Sequence, residues 1–250
     1  IMNHNKIITC LICDNKEVSS IKRWNDYKVY ICDICDLNFC REMIEKEING
    51  DSSPVHDEGI KMMESSFFRT KLIAKSFFDK RILYYENLLK RKCKNILEVG
   101  CGPGAFYEQA NNHSIDWIGI EVNPYWIEFG SKNNIPISNE KIDDIDKQFD
   151  LITAHQVLEH VESPKLFLDS IVSKLKPGGV LHFELPNNLS LTSQFRKISP
   201  KLSYDYGFIQ PPMHLRAYSK KTLNVFLKKH GLIVDQIFTC VNNHHIWGQV

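Results

Sequence analysis

Short, nearly continuous apolar runs alternate along this chain with longer stretches in which apolar residues recur every three or four positions. The runs at 95–99, 116–121, 135–138, 149–154 and 179–185 are rich in Ile, Leu, Val, Phe and Trp. They are too short for helices and suit strands buried on both faces of a parallel sheet. Between and after them, 105–112, 124–132, 164–175 and 219–230 carry helical spacing. Some of the helix ends are marked. Ser163-Pro164 places a capping hydroxyl before a proline at the first helical position, and His230-Gly231 places a glycine just past a last turn. Beyond that glycine, 232–239 and 244–250 read as a terminal pair of strands. Strand and helix in regular alternation predict an α/β fold built on a doubly wound sheet.

The flanks change the pattern. From Met62 to Lys92 the spacing is helical, with Phe67, Phe68, Leu72, Phe77, Phe78, Ile82, Tyr85, Leu88 and Leu89 on one stripe and a break expected around 76–79. The plain reading of this stripe is core packing; the sharper one is a first helix that also lids a cofactor pocket. Asn49-Gly50-Asp51-Ser52-Ser53-Pro54 is dense in turn formers and reads as the start of a linker. Between Leu185 and Ser219 the periodicity lapses over a length unusual for a plain connection. That segment carries Phe195, Arg196, Tyr204, Tyr206, Phe208, Pro211-Pro212, His214 and Arg216. Long loops at the carboxyl edge of a parallel sheet commonly cover a site. The expected organisation is a small module at 1–48, a linker at 49–61 and a main domain at 62–250, with 186–218 inserted as a substrate cap.

Composition narrows the class. With 250 residues, 43% hydrophobic and 24% charged, the chain suits a water-soluble fold of one substantial core plus an accessory module. A formal net charge of +1 creates no global field for nucleic acid or an anionic membrane. No stretch reaches the apolar length of a membrane span, and the amino terminus lacks a secretory apolar region. Met2, after Ile1, is the expected native start. The expected compartment is the cytoplasm, with thiols reduced.

The eight cysteines are not scattered. Cys10-x-x-Cys13 and Cys32-x-x-Cys35 are separated by 18 residues, inside the spacing window of four-cysteine zinc sites. Two tight knuckles set four thiolates around Zn²⁺, and so small a segment needs a metal to fold. Such a site has no open coordination position, so its expected role is structural. Free or redox-paired cysteines are the alternative, and Cys40 is the spare that could replace one of the four.

The richest chemistry lies at 96–104, Ile-Leu-Glu-Val-Gly-Cys-Gly-Pro-Gly, a strand running into a glycine turn and then a helix. Gly100, Gly102 and Gly104 suit a sharp bend that must approach a ligand closely, and the helix start behind them suits a polar ligand end. The E-x-G-x-G-x-G spacing departs from the G-x-G-x-x-G of dinucleotide sites, which turns the reading from a nicotinamide cofactor toward S-adenosylmethionine. Glu121 ends the next strand 17 residues past Gly104, near the offset at which a carboxylate accepts from ribose hydroxyls.

Together LEVGCGPG, GIEVNP, FDLITAHQVLEHV, LKPGGVLHFELPN and HLRAYSKKTLNVFLKKHGLIV resemble the class I S-adenosylmethionine-dependent methyltransferases, in the broad group of the ubiquinone-biosynthesis O-methyltransferases. The likeness covers roughly 60–250. It implies a seven-stranded Rossmann-like sheet in the order 3-2-1-4-5-7-6, with the last strand antiparallel. It further implies a cofactor held by Glu98, Gly100, Cys101, Gly102, Gly104, Glu121 and Val122. Asn139, Glu140 and Ile142 are the candidates for the adenine side, and His155 lies at the methyl end.

Methyl transfer requires an aligned acceptor lone pair, and a hydroxyl acceptor gains from a base such as His. His155 and His214 are the catalytic candidates; His160, in LEHV, reads first as a packing residue. Arg196 and Arg216 are candidates for an anionic acceptor. The expected substrate is a small polar metabolite, such as a sugar, a surface-polysaccharide precursor or a natural-product intermediate, methylated on oxygen. Lys90-Arg91-Lys92-Lys94 and the cysteine module keep an RNA methyltransferase as a rival. A non-catalytic adaptor is the other, disfavoured by an intact glycine loop together with Glu121.

Overall fold

In the computed structural model the described residues are 8–24, 27–40, 79–198, 206–211, 214–239 and 245–249. The linker at 49–61, the first aromatic helix with its break, Ile1, Met2 and Tyr204 lie outside them. Strands β1 (Val18–Trp24), β2 (Tyr27–Cys32) and β3 (Asn38–Cys40) come first, and residues 79–89 are helical (α1). Then follow β4 (Asn95–Val99), α2 (Tyr107–Asn112), β5 (Asp116–Ile120), α3 (Pro124–Lys132), β6 (Ile137–Ser138), a 3₁₀ turn (Ile142–Asp144) and β7 (Phe149–His155). The chain continues through α4 (Pro164–Ser173), β8 (Leu175–Pro186), α5 (Leu191–Ile198), β9 (Arg216–Ala217), α6 (Lys220–Lys229), β10 (Gln236–Thr239) and β11 (His245–Gln249).

The large sheet has the strand order β6-β5-β4-β7-β8-β11-β10, which is the expected 3-2-1-4-5-7-6. β4 pairs in parallel with β5 and β7, β5 with β6, and β10 with β11 antiparallel. Register matters for function. Val99 lies opposite Ile120, and Ile120 opposite Ser138, so three strands end level and their following loops share one edge. Every residue of β4 is buried, the polar Asn95 and Glu98 among Ile96, Leu97 and Val99, as in a strand covered on both faces.

Two compact units emerge, one of 48–155 with 170–182, the other of 1–47 with 156–169 and 183–250. In the first, Ile96, Leu151, Trp117 and Tyr85 belong to one buried core. In the second, a four-stranded sheet runs β1-β2-β3-β9, so the cysteine strands are completed by two residues from inside the 186–218 segment.

That segment differs from the featureless loop read in the sequence, since it holds both α5 and β9. α5 is a single short amphipathic helix of mostly polar residues, and Ser190 caps it through a bond from Ser193 N–H at 3.1 Å. A two-residue strand has no pattern to read. β8 also starts earlier than expected, at Leu175, and takes in Pro177-Gly178; α4 correspondingly stops at Ser173. The last helix ends as expected, with Gly231 at φ +75°, and it starts on a capping box of Ser219 and Thr222.

Candidate functional site

The glycine loop follows β4 directly. Gly100 and Cys101 both donate to the Ile120 carbonyl, at 2.8 and 3.2 Å, which pins the loop to the end of β5. Gly102 sits at φ +52° with open space where a Cβ would stand, so its face is free to receive a ligand. Gly104, at φ +69°, is needed for a different reason: a Cβ there would lie 2.7 Å from Ile135.

Glu121 stands just past β5 and gathers this edge. One carboxylate oxygen accepts from Gly102 N–H at 2.8 Å. The other accepts from Val122 and Asn123 N–H at 2.8 and 3.0 Å. Three of roughly four lone-pair positions are thus filled, and the carboxylate is oriented toward the glycine loop. Val122 itself is exposed. Asn139 and Glu140 are exposed just beyond β6, where Glu140 N–H meets the Ser138 hydroxyl at 3.4 Å; Ile142 opens the 3₁₀ turn. The expected cofactor residues therefore lie along the level ends of β4, β5 and β6. An open glycine face, a nearby oriented carboxylate and backbone donors fit a polar, ribose-bearing cofactor.

Beneath this edge lies a cavity of about 20 Å³, the room of one water. Glu98, Thr153, His155, Arg81, Tyr85 and Phe106 are among its lining residues. Glu98 is buried, accepts from the Trp117 indole N–H at 2.9 Å, and is pushed up to about 8 by burial. His155, at the end of β7, packs edge-on against Phe106 and His182, with ring centroids 5.7 and 5.0 Å apart. His182 is fully buried, hydrogen-bonds the Tyr85 hydroxyl through Nδ1, and burial drives its pKa well down. The helical stripe marks Tyr85 as core, and neither Arg81 nor His182 is among the expected site residues. The available signals were the i,i+4 placement of Arg81 and Tyr85 on one helix face and a lone His inside an apolar strand.

A second polar cluster lies in the other unit. Glu159, His160 and His214 bring one donor atom each within 4.8 Å of one another. Both Glu159 carboxylate oxygens are buried with no hydrogen bond among the described residues. Burial, with Glu184 nearby, pushes Glu159 up to about 8. His214 Nδ1 meets the Phe208 carbonyl at 3.1 Å. A carbonyl only accepts, so Nδ1 carries the hydrogen and Nε2 holds the lone pair. Burial and the neighbouring His160 push His214 down to about 4. His160 packs edge-on against His214, with ring centroids 4.7 Å apart.

The two arginines expected to face an acceptor are engaged elsewhere. The buried Arg216 guanidinium donates to the Val161 and Glu162 carbonyls. Arg196 stacks on Phe208 at 5.1 Å.

The four cysteines converge. Cys10 and Cys35 Sγ are 3.6 Å apart, Cys13 and Cys32 Sγ 3.4 Å, and all four lie within 4.8 Å of one another. Zn–S bonds of about 2.3 Å in a tetrahedron require sulfurs about 3.8 Å apart, so the donor set fits that ion. Asp14 and Asp36, each just after the second cysteine of its pair, take φ +63° and +64° and donate N–H to the carbonyls of Cys10 and Cys32. The two knuckles are alike. Cys40 stays out of the cluster and packs with Val29, Tyr206 and Ala217.

A family model described as a methyltransferase domain matches residues 71–237. The ubiquinone biosynthesis O-methyltransferase of Coxiella burnetii (strain RSA 331 / Henzerling II) is 28% identical over 149 residues, 52% of this chain and 64% of that protein. The mitochondrial ubiquinone biosynthesis O-methyltransferase of Schizosaccharomyces pombe is 32% identical over 166 residues, 59% of each chain. The chain thus spans less than two thirds of these relatives' length. Among solved structures, an S-adenosylmethionine-dependent methyltransferase from Clostridium acetobutylicum ATCC 824 aligns with TM-score 0.54 and 14% identity, covering 74% of this chain and 96% of the other. That likeness is one of fold.

Proposed function

The chain belongs to the methyltransferase domain family, of the class I S-adenosylmethionine-dependent kind, and from that premise we propose that it methylates an oxygen of a small polar metabolite. One observation carries the reading: the Glu121 carboxylate, at the level ends of β4 and β5, is already bonded to the glycine loop. The kinship with O-methyltransferases acting in ubiquinone biosynthesis favours an oxygen acceptor.

The cofactor would be held by Glu98, Gly100, Cys101, Gly102, Gly104, Glu121 and Val122, with Asn139, Glu140 and Ile142 toward its adenine. When bound it supplies an electrophilic methyl group. The chain's own task is then alignment, water exclusion and proton removal. Glu121 accepts from a ribose hydroxyl at its remaining lone-pair position and keeps the loop in register. Glu98, raised toward neutrality, stays protonated at neutral pH and can donate as well as accept. His155 and His214 are the proposed bases. His155 borders the Glu98 cavity, and the Phe208 carbonyl sets His214 in the tautomer whose Nε2 holds the lone pair.

The cysteine quartet would hold one structural Zn²⁺ through Cys10, Cys13, Cys32 and Cys35. We keep the module at 1–48, the linker at 49–61 and the domain at 62–250 with its 186–218 cap as the working organisation. The proposed setting is the cytoplasm, with no membrane or nucleic-acid partner. Among the described residues no helix is long and apolar enough to cross a membrane.

The test is incubation of the full chain with methyl-labelled S-adenosylmethionine and a panel of hydroxylated metabolites, sugar nucleotides among them, beside total RNA. Label on a metabolite oxygen is the expected result. Label on RNA alone would replace this reading by the RNA one, and cofactor binding without any transfer would favour the adaptor.

A further inference from the structure

Strand β9 is shared by the cysteine knuckles and the loop that follows β7, and every contact involved lies within one compact unit. On one side β9 pairs antiparallel with β3, Phe39 opposite Arg216 and Asn38 opposite Ala217. Cys40 N–H donates to the Leu215 carbonyl at 3.0 Å. Toward the other loop, Leu215 N–H donates to the Glu159 carbonyl at 3.0 Å. The Arg216 guanidinium donates to the carbonyls of Val161 and Glu162. Tyr218 adds a hydroxyl bond to the Leu158 carbonyl at 3.3 Å.

The second knuckle is tied into the same frame. The Thr222 hydroxyl, part of the α6 capping box, donates to the Cys35 carbonyl at 2.6 Å. The Asn188 side chain reaches the Asp36 carbonyl at 3.2 Å and the Asn38 amide at 3.0 Å. Arg216, Glu159, Asn38, Asn188, Tyr218 and Thr222 are all buried. A buried guanidinium held by main-chain carbonyls cannot swing away without stranding its donors and their acceptors. The place of 158–162 therefore depends on β9, and β9 has only two residues with which to grip a three-residue β3. So short a pairing lasts only while the knuckles beneath it are folded.

We propose that Arg216 is a positioning residue that carries the state of the cysteine cluster to the 158–162 loop, so that metal loading sets the geometry of Glu159, His160 and His214. The proposal rests on the zinc reading above. It gives the cysteine module a task inside the methyltransferase, distinct from binding a partner.

Hydrogen exchange on the full chain, read by mass spectrometry with and without a zinc chelator, is the test. Chelation should speed exchange at 158–162 at least tenfold, together with 29–40, while 95–120 stays protected. Arg216→Gln should free 158–162 alone, retain zinc and shift the ring resonances of His160 and His214 but not of His155. Arg216→Lys should restore part of the protection. Equal protection at 158–162 in loaded and chelated wild-type protein, with 29–40 freed, would overturn the coupling, and that arm needs no variant to fold. Protein that takes up no zinc, but whose 158–162 loop is still freed in Arg216→Gln, would overturn the zinc reading and keep the positioning role. Protection of 158–162 left unchanged both by chelation and by Arg216→Gln would refute the coupling and the positioning role together.

Discussion

Glu121 and Gly102 are joined by a 2.8 Å bond from the glycine N–H to the carboxylate, across the level ends of two parallel strands. The acid proposed to meet ribose is thereby also the acid that holds the glycine loop. Its two roles separate in experiment.

Glu121→Ala should weaken S-adenosylmethionine binding roughly 10–100-fold or more, since each bond to a charged acceptor is worth about 1.5–3 kcal/mol. Isothermal calorimetry measures it, and Glu121→Gln should retain part of the affinity by keeping one acceptor oxygen. Unchanged affinity in the alanine variant would remove Glu121 from the cofactor site.

The cysteine quartet should carry about one zinc per chain by elemental analysis, as a closed four-cysteine site does. Cys13→Ser should release it and lower the melting temperature, whereas Cys40→Ser should keep it, because Cys40 packs in an apolar cluster away from the quartet. A metal-free native chain with protected knuckles would refute the site.

Stability should fall as pH rises through the neutral range. Glu98 and Glu159 are both raised from 4.5 to about 8 in the folded chain by burial. The folded state therefore binds more protons than the unfolded state between these values. The stabilisation is complete below about 4.5 and is lost as pH climbs toward 8. Glu98→Gln, neutral at every pH, should flatten that slope and raise the melting temperature at pH 8 by about 2–4 °C for each kcal/mol relieved. A melting temperature that climbs steadily from pH 5 to 8 would contradict the burial argument.

Loss of the base should lower turnover roughly 10²–10⁴-fold while sparing cofactor affinity. His155→Ala and His214→Ala, assayed for label transfer and for binding, decide which side chain acts. If both retain full turnover, transfer proceeds by alignment alone or uses a base other than these two.

Local chemistry was legible before any coordinates. The glycine loop needs left-handed backbone at fixed positions. An acid at the end of the next strand has one place to stand. Two C-x-x-C pairs at this spacing suit two knuckles around one ion. These signals span a few residues each, so the amino-acid order alone determined Gly102, Glu121 and the cysteine quartet as candidates. The order of strands in the sheet followed from the motifs that carry the family resemblance.

Other features depended on what packs against what. β9 has no periodicity, and only its place beside β3 makes it a strand. Arg216 in sequence is one more cation beside a histidine; burial under the carbonyls of Val161 and Glu162 makes it a strut. Glu159 and His160 meet His214 only after some fifty residues of intervening chain have folded back, and Tyr85 finds His182 across an even longer span. Backbone conformation and short spacing are written in neighbouring residues. Burial, pairing and the charge state of an acid are properties of surroundings, and those surroundings exist only in the folded chain.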